Sequence, residues 1–276
     1  MALAFLRQKR IPLRIRKKVG RHFVTPPGHN YEIDMYGQTY HGTTGSHMDN
    51  KIFLYGMHEP STINLMRSIL QKQRLQRKKA VYMDIGTNVG MHLIALADLY
   101  SVGYGFEPWQ PVRERALDQI HKNKLEHVKV FDFGLSNENG ECSFIPPQDN
   151  NYGVGAFDTS ANQDPDALKL KIRVGDDIVD EYAIEPTLMK LDVEGHEKLA
   201  LTGLVNTIQK YKPVVVFEYS TESRADLGDK EVLHQLFGKD YHFYGIKRSR
   251  EFPKLVPFVP EDKYENVLAT PYIFKS

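Results

Sequence analysis

The chain has 276 residues, 41% of them hydrophobic, which is enough to fill the core of one large domain. A net charge of +1 argues against the whole chain being a nucleic-acid binder. The single cysteine, Cys142, excludes an internal disulfide and fits a reducing compartment.

Charge is uneven along the chain. Residues 1–29 hold eight Lys or Arg and no acid, so the remainder carries 28 basic against 35 acidic residues, a net of −7. Pro12 breaks any single helix in this basic arm, which reads first as a solvated, partly disordered arm; the apolar side chains interspersed over residues 3–23 also suit contact with a membrane surface or a polyanion. No apolar run approaches the roughly 18 residues of a membrane span, and no long apolar stretch precedes a small-residue cleavage site. The expected location is therefore cytoplasmic.

Residues 30–60 alternate polar and apolar in Tyr31–Tyr36 and again in Lys51–Tyr55, which predicts a small β-rich cap. Ser61 and Thr62 then open a helix to about Arg77, with Ile63, Leu65, Met66, Ile69 and Leu70 on one side. From residue 61 to 276 one main domain is expected. Its strands are predicted at 80–85, 102–106, 128–133, 186–192, 213–218, 241–247 and 266–274, and its helices near 90–100, 110–124, 197–210 and 229–237. That alternation predicts an α/β fold with a doubly wound, seven-stranded, mainly parallel sheet. Between the third and fourth strands the alternation lapses. Residues 136–180 contain the short runs Glu141–Ile145 and Lys169–Val174, read as antiparallel insertion strands near the sheet's carboxyl edge.

The most informative stretch is Val81 to Gly90, a buried strand followed by a tight turn, Asp84-Ile85-Gly86-Thr87-Asn88-Val89-Gly90, that opens a helix. Such a turn exposes backbone N–H groups to a small polar ligand. Twenty-one residues past Gly86, the next strand ends in Glu107, placed to accept hydrogen bonds from both hydroxyls of a ribose. The pattern lacks the third glycine of a dinucleotide fingerprint and the Lys-Ser/Thr ending of a P-loop. An acidic strand end suits S-adenosylmethionine, which carries an ammonium and a sulfonium and no phosphate.

A second cluster, Lys190-Leu191-Asp192-Val193-Glu194-Gly195-His196-Glu197, closes the fourth strand, with Lys190 and Asp192 on one face. Glu218 ends the fifth strand, so with Asp84, Glu107 and Asp192 four strands end in acids around one rim. Two chemistries fit. Asp192, Glu194 or His196 takes a proton from a hydroxyl that attacks the sulfonium methyl in line. In the other, Asp192, Glu194 and Glu218 hold a divalent ion that acidifies the hydroxyl. The metal-free version is preferred. His58 and His92 have no metal-ligand spacing and are read as surface or hydrogen-bonded core residues.

Taken in order, Gly56-Met57-His58-Glu59-Pro60, the Asp84–Gly90 turn, Phe106-Glu107-Pro108, Gly134-Leu135-Ser136, the Lys190–Glu197 segment and Val216-Phe217-Glu218 resemble the FkbM-type methyltransferases of the class I S-adenosylmethionine-dependent superfamily. The resemblance covers about residues 50–220. It implies a Rossmann-like fold in which Asp84, Gly86, Asn88 and Gly90 surround the methionine part of S-adenosyl-L-methionine, Glu107 holds the ribose, and Asp132 or its neighbours lie beside the adenine; Thr87, in the same turn, is counted with the cofactor-binding residues. It also implies O-methylation of a hydroxyl on a sugar, glycan or small metabolite, and the residues themselves make Lys190, Asp192, Glu194 and His196 the candidate catalytic cluster. Thr87 stands where an alanine is usual, and His196 where a small residue is common. Competing readings are RNA or amine N-methylation, which the Asp192–Gly195 segment does not fit, and a non-catalytic nucleoside-binding protein of the same fold.

Overall fold

The computed structural model describes residues 27–76, 79–146, 155–157, 167–247 and 253–274. Most of the basic arm therefore lies outside the described residues.

The chain enters through a hairpin of β1 (Asn30–Met35) and β2 (Gln38–Thr43), in which alternate β1 residues are buried, as the period-2 pattern requires. Tyr36 and Gly37 both take positive φ, the geometry that joins two strands without splaying them, and Asp34 accepts from the Gly37 N–H at 3.1 Å. Lys51–Tyr55, expected as strand, is helical. It belongs to α1 (His47–Tyr55), where the Ser46 hydroxyl caps the Asp49 N–H and Gly56 ends the helix at φ +90°. Five alternating residues are too few for periodicity to outweigh a cap at each end. Helix α2 (Pro60–Leu75) starts with proline at its first turn and buries Ile63, Leu65, Met66, Ile69 and Leu70 as expected.

The alternating core follows as β3 (Val81–Ile85), α3 (Met91–Leu96), β4 (Val102–Phe106), α4 (Gln110–Lys122) and β5 (Val128–Phe131). The insertion supplies β6 (Gly134–Ser136), β7 (Gly140–Ile145), β8 (Ala156–Phe157), β9 (Lys169–Val174) and α5 (Gly175–Glu181). Then come β10 (Leu188–Leu191), α6 (Glu197–Thr202), α7 (Val205–Tyr211), β11 (Val214–Glu218), α8 (Thr221–Leu227), α9 (Lys230–Phe237), β12 (His242–Lys247), β13 (Lys254–Pro257) and β14 (Asn266–Thr270). The single helix expected over 197–210 is two, and between them Gly203 lies so close to the Ser136 carbonyl that a Cβ there would stand 1.8 Å from it.

The main sheet has eight strands in the order β13-β12-β14-β11-β10-β3-β4-β5 and is mixed, which corrects the seven-stranded, mainly parallel expectation. From β11 to β5 all neighbours are parallel, while β14, β12 and β13 join antiparallel. The extra strand, β13, is half-exposed and ends in proline, and its apolar run of Leu255 and Val256 is too short to read as a strand. The insertion forms a separate sheet, β6-β9-β7-β8, in which β7 and β9 pair antiparallel as expected and β6 joins β9 in parallel.

Two cores cover the main sheet. Ile63, Leu70, Leu93, Leu96 and Val112 pack one face, and Ile178, Leu201, Ile208, Leu233 and Phe237 the other. The chain leaves β3 toward β4 in one direction and later returns on its other side as β10. The crevice at the carboxyl ends of β3 and β10 is thus the switch point where α/β sheets of this kind bind ligands. Among the described residues no helix is long and apolar enough to cross a membrane.

Candidate active site

Two turns meet at that crevice. After β3, the Gly86 and Thr87 N–H groups both donate to the Phe106 carbonyl at 3.1 Å. The Thr87 hydroxyl donates to the Asp84 carbonyl at 2.8 Å and accepts from the Phe106 N–H at 2.9 Å, which ties the turn to β4. Gly86 is held at φ +83°, and a Cβ on it would stand 1.9 Å from the Asp192 carbonyl oxygen. The Asp192 N–H in turn donates to the Ile85 carbonyl at 2.9 Å. Backbone therefore packs on backbone, and only glycine fits. Gly90, at φ +80°, opens α3 and rests on Ala116 of α4.

Glu107, at the end of β4, is buried, with its Oε2 accepting from the Asn88 N–H at 2.9 Å and its Oε1 from the Trp109 N–H at 3.0 Å. Burial pushes its carboxyl up to about 7, against the pull of those two N–H groups. Asn88 itself sits at φ +50°. Asp132, expected near the adenine, is exposed and outside the cavity wall, 4.0 Å from Lys171. Phe131 and Phe133 on either side of it are buried, while Asp132 sits in the bend after β5.

At the end of β10, the Lys190 ammonium is buried and lies 2.7 Å from Asp192 Oδ2. Lys190 stands beside Asp84 in the β10–β3 register. Burial opposes its charge, yet Asp192, Asp84 and Glu59 outweigh that cost and hold the ammonium above its ordinary range. Asp84 Oδ1 accepts from the Tyr82 hydroxyl at 2.9 Å, and burial pushes this carboxyl up to about 6. Burial, reinforced by Asp192, Glu194 and Glu197, pushes Glu218 up to about 9.

The loop after Asp192 is shaped by Glu197, whose carboxylate accepts from the Val193 N–H at 2.9 Å and the Gly195 N–H at 3.1 Å. Glu194 at φ +52° and Gly195 at φ +96° turn the chain sharply there. His196, expected in the catalytic cluster, is not in the cavity wall. Its Nε2 lies 3.0 Å from the Ser136 hydroxyl, its ring packs on Phe157 at 4.8 Å, and burial pushes it down to about 4. His196→Ala is expected to cost about 1–3 kcal/mol of stability, from the lost packing and hydrogen bond. Ligand affinity should stay unchanged, and paired melting curves and calorimetric titrations check both.

Gly86, Thr87, Asn88, Glu107, Lys190, Asp192 and Glu194 share the wall of one cavity of about 440 Å³. Asp84 and Gly90 are not in that wall; Asp84 stands beside Lys190 in the β10–β3 register. The cavity's other wall holds residues that sequence reasoning did not assign to a site: Lys51, His58, Glu59, His92, Phe144 and Phe157. Lys51 Nζ lies 3.2 Å from His58 Nε2, and burial, followed by the Lys51 charge, pushes His58 down to about 4. Glu59 sits at φ +48°, directly before Pro60, a strained conformation of the kind kept at functional sites. Its Oε2 is 3.8 Å from His92 Nε2. Trp109, Phe144 and Phe157 form a continuous aromatic wall with ring centroids 5.6 and 5.8 Å apart. The signal that could have located His58 and Glu59 was their place in the Gly56–Pro60 segment, and for His92 its place two residues past Gly90. Among the described residues no three His, Cys, Asp or Glu side chains converge closely enough to hold a metal ion.

Residues 84–243 match the methyltransferase FkbM domain family. The hexuronic acid methyltransferase AglP of Haloferax volcanii is 29% identical over 157 residues, 56% of this chain and 61% of that protein's own length. Among solved structures, a methyltransferase FkbM from Methylobacillus flagellatus aligns at 18% identity and a TM-score of 0.49, covering 80% of this chain and 52% of that one. An S-adenosylmethionine-dependent methyltransferase from Agrobacterium tumefaciens aligns at 8% identity and a TM-score of 0.49, covering 90% and 72%.

Proposed function

The chain belongs to the FkbM methyltransferase family, and on that premise we propose that it uses S-adenosylmethionine to methylate a hydroxyl group of a sugar. One observation carries the reading: a single cavity of about 440 Å³ is walled on one side by the Gly86–Asn88 turn with Glu107, and on another by the Asp192–Glu194 loop. The residues fit the methyl donor. Glu107 is a buried carboxylate steadied by two backbone N–H groups, the arrangement that receives a ribose diol, and the glycine turn leaves room where any Cβ would intrude. When bound, S-adenosylmethionine supplies an electrophilic methyl group on a sulfonium centre.

The chain's own part is positioning. Lys190 anchors Asp192 through Oδ2, and Asp192 Oδ1 is the atom proposed to take the acceptor's hydroxyl proton. Trp109, Phe144 and Phe157 present apolar faces that exclude water and suit the C–H face of a pyranose ring. The H. volcanii relative, a hexuronic acid methyltransferase, supports a sugar acceptor.

Calorimetric titration with S-adenosylmethionine and S-adenosylhomocysteine, with NAD as control, tests the donor. Micromolar binding of both sulfur nucleosides and none of NAD is expected, and binding of neither overturns the reading. Transfer of labelled methyl groups to a panel of methyl glycosides, uronic acids included, tests the acceptor, and binding without transfer to any of them overturns the sugar assignment. Asp192→Asn is expected to lower that transfer about 10²-fold while leaving S-adenosylhomocysteine affinity within about twofold. Equal transfer by the variant would remove Asp192 from the mechanism.

A further inference from the structure

Seven buried side-chain nitrogen or oxygen atoms among the described residues have no hydrogen-bond partner, and four of them belong to this site: Asp84 Oδ2, Glu59 Oε2, His92 Nε2 and Glu218 Oε2. Buried polar atoms are nearly always paired, so a cluster of unpaired ones marks a place built for a ligand. Ionised carboxylate oxygens only accept, and an imidazole nitrogen accepts when the proton sits on the other ring nitrogen, whereas Glu218, held up to about 9, keeps its proton at neutral pH and stands outside the acceptor set of Glu59, His92 and Asp84. Glu59 Oε2 and His92 Nε2 are 3.8 Å apart, too far to satisfy each other and close enough for one donor group to touch both. The nearest cation, the Lys190 ammonium, is bound to Asp192 at 2.7 Å and reaches none of the four. What completes the set is a positively charged group with several N–H donors and no acceptor, an alkylammonium.

We propose that Glu59 and His92 form the seat of the α-ammonium of the methyl donor, with Asp84 as the acid behind it, an inference that rests on the donor reading above. Both residues line the cavity. The last side-chain torsion of a glutamate is soft, so a turn of the Glu59 carboxyl presents Oε2 to the ligand while the long 3.4 Å contact from Asn266 to Oε1 is given up. The α2 entry, which carries Glu59, and the first turn of α3, which carries His92, thus act together as one clamp on the amino-acid end of the ligand.

The test is calorimetric and needs no acceptor. Wild type, Glu59→Gln and His92→Leu are each titrated with S-adenosylhomocysteine, with its analogue lacking only the α-amino group, and with 5′-methylthioadenosine. Wild type is expected to prefer S-adenosylhomocysteine over the deamino analogue by about tenfold or more. Glu59→Gln is expected to bind those two alike while holding 5′-methylthioadenosine as wild type does. Retention of the amino preference by Glu59→Gln overturns the proposal, as does an equal loss of affinity for all three ligands. If Glu59→Gln fails to fold, His92→Leu decides, through a reduced preference or an unchanged one. A wild type that binds none of the three overturns the donor reading itself, a result distinct from a wild type that binds all three without distinguishing the amino group.

Discussion

Gly86→Ala is expected to abolish measurable S-adenosylhomocysteine binding and to lower stability by about 3 kcal/mol or more. Two costs combine. At φ +83° an alanine is held in the left-handed region, and its Cβ would stand 1.9 Å from the Asp192 carbonyl oxygen. Neither neighbour can yield easily, because the Asp192 N–H is bonded to Ile85 at 2.9 Å while the turn hangs on Phe106 through two N–H groups at 3.1 Å. The strand ends must then separate, which opens the crevice where the ligand is placed. Chemical unfolding and calorimetry on the same preparation measure both effects. A variant with wild-type stability would show that the contact between the two turns is not what shapes the site.

Glu107→Gln is expected to weaken S-adenosylhomocysteine binding about 10³-fold, since two charge-assisted hydrogen bonds to the ribose would be lost. The same residue predicts opposite pH dependences for the empty and the loaded protein. Its carboxyl is raised from the ordinary glutamate value of 4.5 to about 7 in the folded chain, so between those values the folded state binds more protons than the unfolded one. The stability this group contributes is therefore present in full below about 4.5 and is lost as pH rises toward 7. Glu197, raised to about 7, and Asp84, raised to about 6, act in the same direction. The ligand-free protein is expected to melt at a higher temperature at pH 6 than at pH 8. Binding runs the other way, because a ribose diol donates to the ionised carboxylate and affinity should rise with pH through about 7. Glu107→Gln should flatten that rise. A flat affinity profile in the wild type would remove the ionised Glu107 from the ribose assignment.

The parts of the site that sequence determined are those that short-range chemistry writes. The Asp84–Gly90 turn and Glu107 follow from a continuous apolar strand, the glycines a tight turn requires and a fixed spacing to the next strand end. The structure joins them directly, Asn88 N–H to Glu107 Oε2. Lys190 and Asp192 were likewise legible, since alternate residues of a strand share a face, and their 2.7 Å pair follows. Seven of the eight main-sheet strands stand within a few residues of their predicted places, while the eighth, Lys254–Pro257, is a half-exposed edge with only two apolar residues, Leu255 and Val256, before its proline.

Tertiary structure alone decided what lies opposite that turn. Glu59 and His92 are separated by 33 positions and meet because α2 and α3 pack on the same face of the sheet. Phe144 and Phe157 reach Trp109 only through the insertion sheet, whose strand order is set by long-range pairing. His196 shows the limit from the other side: its place after Gly195 is local, but whether it faces ligand or core depends on the left-handed turn at Glu194 and on Ser136, 60 residues earlier. Periodicity reports which side of a strand or helix a residue occupies. What stands on that side is settled by packing between elements distant in sequence, as the meetings of Glu59 with His92 and of Trp109 with Phe144 are.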